Sequence, residues 1–204
     1  MTEKTTGLSK FKTSRMEAFS DGVLAIVITL LVLEIKIPGL RDALSSQEAW
    51  HALVHLVPNV ASSALSFAFV AVFWVNHHRF FDLVAHADWG LIWANNLLLL
   101  FLCFVPFPTG FIGEHPRNPL ALALFAIVLS LAGAVFNLMW RYARRHALIL
   151  PSISPVTVQQ GIRRGLVGPC LYGTAAISAF FAPLFSWAIF LFVPVFYFIP
   201  VKAK

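Results

Sequence analysis

RMEAFSDGVLAIVITLLVLEIKIP, residues 15–38, is the stretch on which the fold turns. From Val23 to Leu33 every side chain except Thr29 is apolar. The whole run approaches the roughly 20 residues a helix needs to cross hydrocarbon. Yet it opens with Arg15, Glu17, Ser20 and Asp21. Ionisable groups at membrane depth are costly, so they mark either a functional position or the water-facing end of a span.

Working outward, the composition agrees with a membrane chain. The 204 residues are 59% hydrophobic and 12% charged, with 20 phenylalanines. Soluble domains are about 45–50% apolar and about 25% charged, so this is an integral membrane protein embedded in a lipid bilayer. The net charge of +6 reports orientation and not a nucleic-acid partner, since no interleaved polar surface accompanies it. Cys103 and Cys170 both lie in apolar runs, with neither a disulfide framework nor metal-ligand spacing. The polar, basic start MTEKTTGLSKFKTSR precedes a run too long for a signal peptide, so residues 15–38 read as a retained span.

Six apolar stretches are long enough to cross: Ala18–Ile37, Leu56–Val75, Leu91–Phe111, Leu120–Trp140, Leu166–Pro183 and Leu184–Ile199. They are continuous, so the expected fold is all-α with six transmembrane helices. If all six cross, Lys4, Lys10, Lys12, Arg15, Arg79, Arg141, Arg144, Arg145, Arg163, Arg164, Lys202 and Lys204 share one side. Only Lys36, Arg41 and Arg117 fall on the other. The positive-inside rule then places both termini in the cytoplasm of a multi-pass cell-membrane protein. Residues 1–17 form a cytoplasmic segment, 18–200 one six-span domain and 201–204 a cytoplasmic tail. Trp50, Trp89, Trp140 and Trp187 fall near span ends, as interfacial aromatics do. Arg41–His55 reads as a short extracellular amphipathic helix. Residues 141–164 read as the longest cytoplasmic loop, interrupted by Pro151, Pro155 and Gly161.

Little in the chain suggests catalysis. Glu48, His51 and His55 have helical spacing and offer a carboxylate and two imidazoles to one face, but the same set serves as the wet side of a surface helix. His77 and His78 diverge by about 100° on a helix. Among the sequence motifs there is no nucleophile–base set, paired carboxylates or phosphate loop, so neither an enzyme nor a cofactor is expected. CLYGTAA, residues 170–176, shares only Tyr172 and Gly173 with the TVGYG filter of potassium channels. Gly173 reads instead as a close helix-packing position.

The first span carries the sharper pattern. At about 100° per residue, Gly22, Ile26, Leu30, Leu33 and Ile37 form one stripe, with Thr29 on its shoulder and Asp21 nearly opposite. Asp21 needs polar partners, so its face is expected to turn into the subunit's own bundle. The stripe then faces outward, toward lipid or toward another subunit. Trp74, Asn76, His77 and His78 end the second span at the same depth, and Asn95 and Asn96 lie a little deeper in the third. Glu34 reads equally as a charge that concentrates cations and as a solvated helix end.

Arg15, Phe19, Ser20, Asp21 and Gly22, followed by the apolar run to Glu34, resemble the opening of bacterial members of the transmembrane-protein-175 family, relatives of the lysosomal potassium channel. The W-x-x-H pair after the second span, Trp74 and His77, supports the likeness. The resemblance implies a homotetramer permeable to potassium and other monovalent cations, with a central pore lined by the first helix and no TVGYG filter. By position it implies a constriction at Ile26, lining at Leu30 and Leu33, and a selectivity hydroxyl at Thr29. Arg15, Phe19, Ser20, Asp21 and Gly22 would form the structural motif, with Trp74 and His77 as partners. Two other classes stand beside this reading. One is a proton-coupled or cation secondary transporter using Asp21 and His77; the other is a membrane scaffold without transport.

Overall fold

A computed structural model describes residues 11–36 and 45–198. Lys4, Lys10, Ile37, Arg41, Ile199, Lys202 and Lys204 lie outside the described residues, as does the tail at 201–204. The helices are α1 Ser14–Leu33, α2 Ser46–His55, α3 Val57–Phe81, α4 Trp89–Cys103, α5 Pro106–Glu114, α6 Pro119–Arg145, α7 Pro155–Ser178 and α8 Pro183–Phe198. The all-α expectation holds. Among the described residues four segments are long and apolar enough to cross a membrane: α1, α3, α4 with α5 taken together, and α6. α8 is apolar but has 16 residues.

Helix starts follow local chemistry. The Asp88 carboxylate accepts from Leu91 N at 2.8 Å, and the Asn118 amide oxygen from Leu120 N at 2.9 Å. Ser154 Oγ accepts from Thr157 N at 3.2 Å. Each fills an amide that the first helical turn leaves without a partner. Proline stands in the first turn of α3, α5, α6 and α7, where a missing N–H costs nothing.

The expected third span is broken. Pro106 has no N–H to continue the ladder, so Val105 N turns to Leu102 O at 3.1 Å and Phe104 N to Phe101 O at 3.2 Å. These tightened bonds end α4, and α5 restarts from the proline. The long loop is also shorter than expected. α7 begins at Pro155 and runs through Gly161, which lies under the Trp140 ring. A glycine inside a helix lowers its intrinsic stability but admits a large neighbour, and here the neighbour wins. Trp140 is accordingly 8% exposed and belongs to the core, not to the interface. Gly173 is no tight contact, since an added methyl would meet Ser130 Oγ at an ordinary 3.9 Å. The tight approaches on this pair of helices include Gly161 under Trp140 and Gly133 against the ring of Pro169.

With α4 and α5 counted as one broken span, the long helices run alternately up and down. At one end Phe11 pairs with Ala87 through two backbone bonds of 2.8 and 2.9 Å. At the same end Ala85 N reaches Leu148 O at 2.8 Å and Leu150 N reaches Leu83 O at 2.9 Å. The segment before α1, the α3–α4 turn and the α6–α7 turn are thereby sewn together. At the opposite end Lys36 lies 3.8 Å from Glu114, and Trp187 Nε1 donates to Pro116 O at 2.9 Å. α6 is the centre of the bundle and mostly buried, whereas α1 lies at the edge and is mostly exposed.

Candidate functional site

α1 packs on α3 and α4 through Met16, Ser20, Leu24, Val27 and Leu31. The steps of three and four residues keep these side chains on one face. On the helical wheel Ile26 lies about 120° from the middle of that buried row, and Thr29 about 180°. The subunit's own helices therefore leave Ile26 60% exposed, Leu33 71% and Leu30 40%. Gly22 is open, with nothing near enough to touch an added methyl. The Thr29 hydroxyl donates to Ile26 O at 2.8 Å, which points its lone pairs away from the helix. Phe19 and Arg15 are also exposed. From Gly22 to Leu33 the outward face of α1 is a continuous apolar surface interrupted by one hydroxyl.

Its inward face is held by polar bonds. Ser20 Oγ donates to Met16 O at 2.8 Å and accepts from Asn95 Nδ2 at 2.9 Å. With that amide nitrogen committed, Asn95 Oδ1 is the acceptor and His77 Nε2 the donor in their 2.8 Å contact. Ser20 and Asn95 are fully buried and His77 nearly so. The chain of bonds joins α1, α4 and α3 in a space that excludes water. Such a network is stable because each member is satisfied, and removing one strands the others.

Asp21 is not in this network. It is exposed at the edge of the helix, where its Oδ1 accepts from Trp74 Nε1 at 2.9 Å. The expectation that Asp21 would turn into the bundle is corrected: the bundle takes Ser20, one residue earlier. A hydroxyl can be buried cheaply because the i−4 carbonyl accepts its proton, while a carboxylate has no such local donor. Trp74 also stacks on His78, with ring centres 6.1 Å apart, and His78 lies 3.9 Å from Asp82. Asp21 and His77 therefore belong to separate clusters, one wet and one dry.

A second buried polar cluster lies at the far end of α1 and is absent from the sequence-based expectations. Ser63 Oγ donates to Leu31 O at 3.1 Å, and Ser66 Oγ meets Thr109 Oγ1 at 2.7 Å. The Glu34 side chain covers Gly110 on α5. The serine spacing on α3 is helical, but isolated serines in apolar helices occur on any face, so only Thr109 beside Pro106 and Pro108 offered a hint.

Elsewhere, Glu48 does not join His51 and His55. It closes a capping box, accepting from Ser45 N at 2.9 Å and Ser45 Oγ at 2.8 Å. Those bonds hold its carboxyl below the usual carboxylate range, the backbone donor contributing most. Among the described residues no group of His, Cys, Asp or Glu is arranged to hold a metal ion.

Residues 15–106 match the family model described as "Endosomal/lysosomal potassium channel TMEM175". The chain is 44% identical over 135 residues to "Potassium channel Cha6605_3372" of Chamaesiphon minutus, covering 65% of this chain and 66% of that protein. It is 38% identical over 177 residues to "Potassium channel B446_29190" of Streptomyces collinus, covering 82% and 84%. The crystal structure of a lysosomal potassium-selective channel TMEM175 homolog from Chamaesiphon minutus superposes with a TM-score of 0.79 at 35% identity, covering 94% of this chain and 98% of that one.

Proposed function

The chain belongs to the TMEM175 family of ion channels, and from that premise we propose that it is one subunit of a homotetrameric, potassium-permeable channel with α1 lining a central pore. One observation carries this reading. α1 is bonded to its own bundle along the Ser20 side and left bare along the Ile26 side. A bare apolar face suits lipid, but a packing motif of Ser20, Asn95 and His77 that locks the rotation of the helix suits a face whose aim matters. The names of the bacterial relatives supply the ion.

The mechanism follows from the ring that four copies would make. Ile26 offers no ligand, so a narrow ring of four empties of water and blocks ions, and a wider one holds water and passes them. Potassium gives up its hydration shell more readily than sodium, so a tight apolar ring favours it modestly. Leu30 and Leu33 continue the lining toward the end that bears Lys36 and Glu34. Thr29, with its proton committed to Ile26 O, presents oxygen lone pairs that can touch a passing cation. Arg15, Phe19, Ser20, Asp21 and Gly22 act as a structural motif. Ser20 fixes depth through Asn95 and His77, Asp21 fixes the helix edge through Trp74, and Gly22 keeps the mouth open.

In this proposal α1, α3, α4–α5, α6, α7 and α8 make six crossings, with both termini on the cytoplasmic side of the cell membrane. At 16 residues α8 rises about 24 Å, near the lower limit for hydrocarbon.

Single-channel recording after reconstitution tests the reading. Ile26→Asn should wet the constriction, raise current and weaken the preference for potassium over sodium. Thr29→Val keeps the side-chain volume and should shift selectivity more than conductance. Unchanged current in a well-folded Ile26→Asn protein would remove Ile26 from the pore. Proton-dependent flux without unitary steps would favour a transporter using Asp21 and His77.

A further inference from the structure

A crevice of about 830 Å³ opens between α3, α6, α7 and α8, remote from the bare face of α1. This is within the range of ligand sites, about 300–1,000 Å³. Its inner walls are aromatic and apolar: Phe73, Phe136, Trp140, Tyr172 and Tyr197, with Pro169 at the deep end. Its rim carries Arg79, from the last turn of α3, and Arg163, from the third turn of α7. Both arginines are exposed, and among the described residues no carboxylate forms an ion pair with either. Arg164, also on the wall, is engaged with Phe196 O and Tyr197 O and closes the α8 side.

The depth of the crevice is informative. On α7 its lining runs from Val156 to Tyr172, a rise of about 24 Å. Half of a bilayer, about 15 Å of hydrocarbon with its headgroup layer, has the same extent. The slot is therefore basic where headgroups lie, apolar where acyl chains lie, and no deeper than one leaflet. Guanidinium forks match phosphate oxygens through paired, charge-assisted hydrogen bonds. Basic pockets between spans on the cytoplasmic side are where anionic headgroups are recognised.

From this geometry we infer that the crevice binds one anionic phospholipid, its phosphate held by Arg79 and Arg163 and an acyl chain lying against Phe73, Phe136 and Tyr172. The leaflet is the cytoplasmic one, a point that rests on the orientation proposed above; the binding itself does not. Because the lipid would wedge α3 against the α6–α7 pair, its occupancy stabilises the bundle on the side away from α1.

The test uses the full chain in detergent, titrated with phosphatidylglycerol or phosphatidylcholine, and reads bound lipid by native mass spectrometry and melting temperature by fluorescence. The parent should retain phosphatidylglycerol selectively and melt higher with it. Arg79→Gln combined with Arg163→Gln should weaken retention about thirtyfold, since each basic group near the headgroup contributes to its hold. Lys12→Gln, at the same end of the bundle but outside the lining of the crevice, should retain it as the parent does. Three results would overturn the inference. Equal retention of both lipids would remove headgroup recognition. Equal loss in Lys12→Gln and the double variant would mean diffuse surface charge. The full melting shift with inorganic phosphate or glycerol phosphate alone would make this a soluble-anion site. None of these readouts involves ion current, so they stand apart from the outcome at Ile26.

Discussion

Replacing Asn95 by leucine removes a donor and an acceptor at once from a fully buried polar site in the bundle. Ser20 Oγ loses its incoming proton and His77 Nε2 loses its acceptor, and both stay buried. Each stranded group costs about 1–3 kcal/mol, so Asn95→Leu should destabilise the protein by roughly 2–6 kcal/mol. Asp21→Asn should cost less, about 1 kcal/mol, because an amide still accepts from Trp74 and water reaches the site. Thermal unfolding of both variants in one detergent tests the order. A larger loss for Asp21→Asn would make the acidic residue, not the dry network, the anchor of α1. The contrast also shows what a residue-level reading can miss. The motif F-S-D announces a packing point, and its carboxylate draws the eye. Which of two adjacent polar residues goes inside depends on whether the helix's own carbonyl satisfies the group, and that favours Ser20.

At the scale of elements, the apolar runs locate α1, α3, α6 and α8, because a long continuous apolar run satisfies its backbone in lipid only as a helix. The errors arise where a local signal competes with a run. Pro106 and Pro108 break a segment that hydropathy alone makes continuous. Gly161, a loop signal by itself, is drawn into α7 by the space Trp140 requires. α2 is legible from its first turn, S-x-x-E at Ser45 and Glu48, and the capping box there yields a pH prediction. The Glu48 carboxyl is held below its ordinary range by Ser45, so its contribution is present above the unfolded pKa, about 4.3, and lost as pH falls through the lower folded value. Hydrogen exchange of the first α2 turn should therefore lose protection on acidification below about pH 4, beyond the intrinsic change in rate. Ser45→Ala should show weak protection across the same range. Equal protection in parent and variant at neutral pH would mean that neighbours, not the cap, start the helix.

Over the whole molecule, charge and connectivity argue for one orientation. The end sewn together by the Phe11–Ala87 and Val84–Ile149 pairings carries Lys12, Arg15, Arg79, Arg141, Arg144 and Arg145. The other end, where α1 finishes near α5 and α8 starts near Pro116, carries Lys36 and Arg117. The pairings are independent of the charges, yet they divide the loops in the same way, and an odd number of missed crossings would destroy that agreement. With Cys103 and Cys170 replaced by serine, single cysteines at Gln47 and Arg117 should react with a membrane-impermeant thiol reagent added to intact cells. Cysteines at Ala85 and His146 should react only after permeabilisation. All four sites are exposed, so access, not burial, sets the outcome. The reverse pattern would invert the bundle, carrying the arginine-rimmed crevice to the outer leaflet. A mixed pattern within either pair would break the six-crossing topology, because the loops at Ala85 and His146 are tied to one another through backbone bonds and cannot lie on opposite sides of a bilayer.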